Sequence, residues 1–227
     1  MCKIFVPLII FPFLLTACAS KVVNQQPVSE AVASYQAGQP EHRIRKIVYA
    51  VTEQSNNENA QSYEQIDKFS LTSKNLLRKV STAKGKPKVE SLILMNHWEL
   101  DWKMDKNAFL SENVDLRPYP AQWSANGTNV YNSSTLVDSN GRLIWREYCQ
   151  LGAADNAAKL YKKLKGQVQV ANCNALLSNE EGTLRIIQGF QGYYLRSYQM
   201  FIPKVLVVNN ETNGKVDKIE YAIKSIQ

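Results

Sequence analysis

SYEQIDKFSLTSKNLLRKV, residues 62–80, is the stretch whose reading decides the fold. Ile66, Phe69, Ser73, Leu76, Leu77 and Val80 recur at steps of three and four, the spacing of one buried helical stripe. Ser62 with Gln65 three positions on matches a capping box. Lys84-Gly85-Lys86-Pro87 supplies a stop. The pattern therefore predicts a helix over 62–80.

Around that segment the period changes to two. Ile44, Ile47, Val48, Tyr49 and Val51 predict a strand over 43–53. From Val89 to Met104 the alternation predicts one half-buried strand. Leu92, Leu94, Trp98, Leu100, Trp102 and Met104 share its apolar face, and His97, Glu99, Asp101 and Lys103 take the other. Asp138-Ser139-Asn140-Gly141 is a strong hairpin signal between strands at 128–137 and 142–151. A second hairpin turns at 209–214, and its last strand puts Ile219, Tyr221 and Ile223 on one face. A second helix is predicted over 154–165, with Asp155 near its start, Leu160 and Leu164 one turn apart, and Gly166 at its end. Two helices among hairpin-joined strands predict an α+β domain with a largely antiparallel sheet, a single compact unit over 42–227.

The first residues of the chain carry an address. Lys3 precedes an apolar run from Ile4 to Leu15, and Leu15-Thr16-Ala17-Cys18 follows. Charge, apolar run and small-residue cleavage site form the layout of a secretory leader. With a cysteine at the cut, the segment resembles a bacterial lipoprotein signal. That resemblance implies a signal peptide over 1–17 and an acylated Cys18 inserted in a lipid bilayer. Ala19 and Ser20 follow the cysteine and neither is Asp. By the same resemblance, the protein is expected on the outer membrane with its domain facing the periplasm. Pro7 and Pro12 interrupt the run, and as a helix it would reach only about 18 Å, too short for a permanent span. Residues 18–41 are rich in Gln, Ser, Ala and Pro and read as a flexible tether with a reach of roughly 25–30 Å.

The formal net charge is +7. It favours anionic neighbours such as lipid headgroups, a glycan or an acidic protein partner. Nucleic acid is a poor candidate because the leader exports the chain away from it. Once Cys2 is lost and Cys18 acylated, Cys149 and Cys173 remain in an oxidising space and most simply pair. A closed loop of about 25 residues would contribute roughly 3–3.5 kcal/mol in the chain-entropy model. A metal pair or a reactive thiol is the competing reading. Neither cysteine sits in a CxxC, and His42 and His97 lie far away in sequence.

No set of catalytic residues assembles. Ser81-Thr82-Ala83-Lys84 matches the S-x-x-K nucleophile motif, but Ser81 falls at the end of the predicted helix rather than its start, and no K-T-G follows. Glu99 and Asp101 with His97 beside them could do acid–base work on a glycan or hold a metal. The polar side of an amphipathic strand accounts for them equally well. HExxH, GxSxG and a glycine-rich phosphate loop are absent, and no cofactor or metal is expected. Tyr119 and Trp123, in a long loop, are the candidate partner contacts. Lys159, Lys162 and Lys163 form a candidate basic patch. These features together predict a non-catalytic envelope lipoprotein that binds or positions another component of a secretion, pilus or cell-wall assembly. The rival readings are a glycan-acting enzyme and a basic carrier of lipid or lipopolysaccharide.

Overall fold

The computed structural model describes residues 40–227, apart from 57, 73–75, 105–106 and 139–140. Twelve strands follow one another: β1 (Lys46–Ser55), β2 (Gln61–Leu71), β3 (Leu77–Ala83), β4 (Val89–Leu94), β5 (Trp98–Met104), β6 (Asn107–Arg117), β7 (Thr128–Asp138), β8 (Gly141–Asn156), β9 (Gln167–Asn179), β10 (Arg185–Leu195), β11 (Met200–Asn210) and β12 (Lys215–Ile226). Each pairs antiparallel with the next. β1 also pairs with β12, from Ile47 opposite Ile226 to Ser55 opposite Asp217, so the sheet closes into an up-and-down barrel. Single 3₁₀ turns lie at Pro120–Gln122, Ala157–Lys159 and Arg196–Tyr198.

The period of two sets the inside and outside of the wall. On β12, Lys218, Glu220, Ala222 and Lys224 are exposed, whereas Ile219, Tyr221 and Ile223 pack on the core. Outward charges pair across strands, as Lys224 does with Glu64 at 3.0 Å and Arg142 with Glu112 at 2.9 Å. Two apolar clusters fill much of the bore. One gathers Trp98, Trp123, Phe190 and Phe201 around the Cys149–Cys173 disulfide. The other gathers Ile47, Tyr49, Phe69, Ile93 and Ile202. Burying each such side chain contributes roughly 1.5–3 kcal/mol.

The α+β expectation with two main helices is overturned, for a definite physical reason. Residues 62–80 form β2, a connection and β3 instead of a helix. The inward set on β2 is Tyr63, Gln65, Asp67 and Phe69, with Asp67 and Phe69 both buried. Two polar residues at inward positions hide the alternation. The helical stripe therefore arose by mixing Ile66 from one side of the strand with Phe69 from the other. The second predicted helix, 154–165, is the end of β8 followed by one 3₁₀ turn, capped by the Asn156 side chain on the Ala158 N–H.

Residues 89–104 are two strands rather than one. The chain reverses at Met95 and Asn96, whose φ values of 53° and 57° with a His97 N–H to Leu94 C=O bond make a type I′ turn. This turn folds inward across the bore. The Phe201 N–H donates to the Met95 carbonyl at 2.8 Å, and the Asn96 amide donates to the Phe201 carbonyl at 2.8 Å. The tip of one hairpin thus plugs the barrel and docks on β11, five strands away round the ring. The leader, Cys18 and nearly all of the tether lie outside the described residues.

Candidate functional site

Above the plug, the side chains leave a cavity of about 310 Å³ in the lumen, within the size range of small-molecule sites. Strand alternation aims polar groups into it from around the ring: Gln65 and Asp67 from β2, Lys79 from β3, Glu99 from β5, Asn132 and Ser134 from β7. The plug adds Asn96 and His97. Trp98, Trp145, Phe190 and Tyr221 supply aromatic wall. Met95 faces away from this space and lines a second cavity of about 340 Å³ at the barrel end, with His42, Leu77 and Tyr198.

His97 is held from every side. Its Nε2 lies 2.9 Å from Glu147 Oε1, and its ring stacks on Phe201 with centroids 4.8 Å apart. Glu147 is buried and also accepts from Trp98 Nε1 at 2.6 Å. Burial alone would raise its carboxyl pKa. The His97 contact and the Trp98 and Trp145 donors outweigh that and hold it below the ordinary range. Lys79 turns to Glu99 at 3.8 Å, and Ser91 Oγ donates to the same carboxylate at 3.3 Å. Asp67, 3 % exposed, accepts from Gln65 Nε2 at 2.9 Å. Burial, then Asp67, pushes both the Tyr49 and the Tyr221 phenols up. Buried polar groups are normally hydrogen-bonded. Here Asn132 Nδ2, Asn96 Oδ1 and Tyr49 Oη are buried with no such partner among the described residues.

Cys149 and Cys173 face each other across β8 and β9 and are joined. Remoteness in sequence from His97 does not survive folding, since His97 Nε2 is 3.8 Å from Cys149 Sγ. His97, Glu147 and the two cysteines offer ligand atoms all within 4.8 Å of one another. As a disulfide the sulfurs supply no thiolate, so this set is not a zinc centre in this state.

The other candidate residues scatter. Glu99 reaches the lumen, whereas Asp101 pairs with Leu92 and Leu110 and is not among the lining residues. The two do not face a shared substrate space. Ser81 sits inside β3 and Lys84 in the turn after it, which gives no helix-borne nucleophile. Trp123 is 4 % exposed, donates to the Pro118 carbonyl at 3.0 Å and packs on Tyr194, so it is core rather than contact surface. Tyr119 stays exposed with the Arg117 guanidinium over its ring at 4.6 Å. Lys159 pairs with Asp155 at 2.8 Å, and Lys162 and Lys163 are exposed.

Sequence reasoning missed Gln65, Asp67, Asn132, Ser134 and Gln188. The signal was there in Val130-x-Asn132-x-Ser134-x-Leu136, where polar residues hold alternate positions between apolar ones. Comparison with protein-family models, with curated proteins and with solved structures finds no match for this chain.

Proposed function

We propose that this chain is a non-catalytic binding protein of the bacterial envelope, anchored through an acylated Cys18, that holds a small polar molecule in the lumen of its barrel. The observation that carries the reading is the wall of the 310 Å³ cavity, with inward polar side chains on opposite sides of the ring and buried polar atoms that the protein itself does not satisfy. Leaving such atoms unpaired costs roughly 1–3 kcal/mol each, a cost that a polar ligand would offset. Outward charges along the strands suit a wall bathed in water. A lipid-spanning barrel carries an apolar band there instead. A glycan-acting enzyme built on Glu99 and Asp101 loses its support, because the two carboxylates do not line one cavity. The positioning role expected from the leader fits a sensor or carrier that hands its ligand to a neighbouring envelope component.

Native mass spectrometry of the full chain extracted from membranes tests the reading, together with tryptophan fluorescence, since Trp98 and Trp145 line the cavity. A retained compound, lost in a cavity-filling Ser134→Trp variant that still folds, is the expected result. An unliganded mass, with no fluorescence response to sugars, amines or carboxylates, would overturn it. Mass spectrometry of the mature N-terminus checks the anchor, and an intact Met1 without acyl chains on Cys18 would remove it.

A further inference from the structure

Charge accounting inside the lumen goes one step further and rests on the lumen being the binding site. Two basic side chains reach this space, and each is committed. Lys79 meets Glu99 at 3.8 Å, and His97 meets Glu147 at 2.9 Å. Asp67 is the carboxylate left over. It is buried, it lines the cavity, and it accepts a neutral amide hydrogen bond from Gln65. Among the described residues it has no ion pair within 4.0 Å. A buried carboxylate without a counter-charge is costly, and it repels anions. The lumen is therefore acidic inside a chain whose overall charge is +7.

The second observation comes from across the bore. Asn132, on β7, is 5 % exposed, and its Oδ1 accepts from Ser134 Oγ at 3.1 Å. Its Nδ2 has no partner among the described residues. β2 and β7 lie five strands apart in the ring of twelve, yet Asp67 and Asn132 line one cavity. An occupant would thus meet a negative pole at one wall and, at the other, the Asn132 side chain, whose buried amide N–H lacks a hydrogen-bond partner among the described residues. Tyr221 stands in the same lining and its phenol is pushed up partly by Asp67, which marks the same negative field. Aromatic faces beside a carboxylate suit an organic ammonium.

We propose that the lumen selects a small organic amine that also carries an oxygen acceptor, of the amino-alcohol or amino-sugar class, with Asp67 as its counter-charge and the Asn132 amide donating to its oxygen. A bare metal ion suits the site less well. One carboxylate with side-chain amides falls short of the roughly six to eight oxygens that calcium takes, and a sodium-sized ion would leave Asn132 Nδ2 unmet.

Calorimetric titration of the full chain with glucosamine, ethanolamine, glucose and acetate tests the assignment. Glucosamine or ethanolamine should bind at least tenfold more tightly than glucose, and acetate should not bind. Asp67→Asn, isosteric at the pole, should abolish the amine preference. Asn132→Leu should weaken glucosamine and ethanolamine together and leave tetramethylammonium, which has no acceptor, unchanged. Each variant is checked for native near-ultraviolet dichroism, and Asp67→Ser with Ser134→Trp stand in should one fail to fold. Equal affinity for glucose and glucosamine, or an Asp67→Asn protein that keeps the preference, overturns the amine assignment and leaves lumen binding standing. If all four probes fail, a neutral or anionic compound retained from membranes overturns the amine assignment alone. Failure of all four with an unliganded native mass overturns both.

Discussion

The backbone N–H of Phe201 donates to the carbonyl of Met95 at 2.8 Å, tying the start of β11 to a turn that belongs to the opposite wall. With the Asn96 amide returning a bond to the Phe201 carbonyl, the contact forms a two-point lock. It separates the polar lumen from the cavity at the barrel end.

Asn96 serves that lock twice, through its side chain and through a backbone at φ 57°. Asn96→Ala loses the hydrogen bond, about 1 kcal/mol, and also strains the left-handed backbone by roughly 1 kcal/mol. Asn96→Gly loses only the first. Urea unfolding should rank wild type above the glycine variant and glycine above alanine. Equal midpoints for all three would mean that the plug is not held by these bonds.

Gly192 marks a close approach between β10 and β11. A Cβ there would collide with the Ile202 carbonyl oxygen and with the ring of Phe190, which lines the lumen. Gly192→Ala should cost about 3 kcal/mol, the upper part of the overpacking range. Its melting temperature should fall by several degrees, and it should distort the cavity from the β10 side. A variant as stable as wild type would contradict the close approach of β10 and β11.

Glu147 gives the fold a sensitivity to acid. Its folded pKa is depressed: burial opposes this, and the His97 contact and indole donors prevail. A depressed carboxylate contributes stability that is present above its unfolded value, near 4.3, and is lost as pH falls through the lower folded value. Glu147→Gln should therefore be less stable than wild type at neutral pH by about 1–3 kcal/mol. The gap should narrow steadily below about pH 4. A gap that does not change with pH would show that the carboxylate is not ionised in the fold.

At the alkaline end the tyrosines behave in the opposite sense. Burial, assisted at Tyr63 by Glu53, pushes the Tyr63 and Tyr194 phenols up to about 12. A folded pKa raised above the unfolded value of about 10 contributes stability that is complete below pH 10 and is lost as pH rises through 12. Tyrosinate absorbance should show a late phase between about pH 10 and 12 that coincides with unfolding. A single phase near 10 with native dichroism retained would contradict the burial of these rings.

Legibility varied along the chain for physical reasons. β7, β8 and β12 could be read because their turns carry Asn-Gly and, on β12, Ile219, Tyr221 and Ile223 alternate with outward residues. β2 could not, since Gln65 and Asp67 face inward toward the cavity and imitate the polar side of a helix. The reversal at Met95-Asn96 escaped because a type I′ turn is usually announced by glycine, and a buried methionine stands here instead. His97 and Cys149 are 52 residues apart and meet through closure of the ring, which no local pattern encodes. Gln65 and Asp67, which misled the reading of β2, both line the lumen cavity, where polar side chains take inward positions that apolar residues hold elsewhere in the wall.

Joining the first strand to the last leaves this sheet without a free edge, because every strand already has a neighbour on both sides. Recruitment of a partner by strand addition, and the run-away stacking that open sheets invite, are both closed off. Contacts of the barrel with other proteins must come through side chains on the staves or through the loops at the two rims. A chain shortened by its final dozen residues would regain two sticky margins at once.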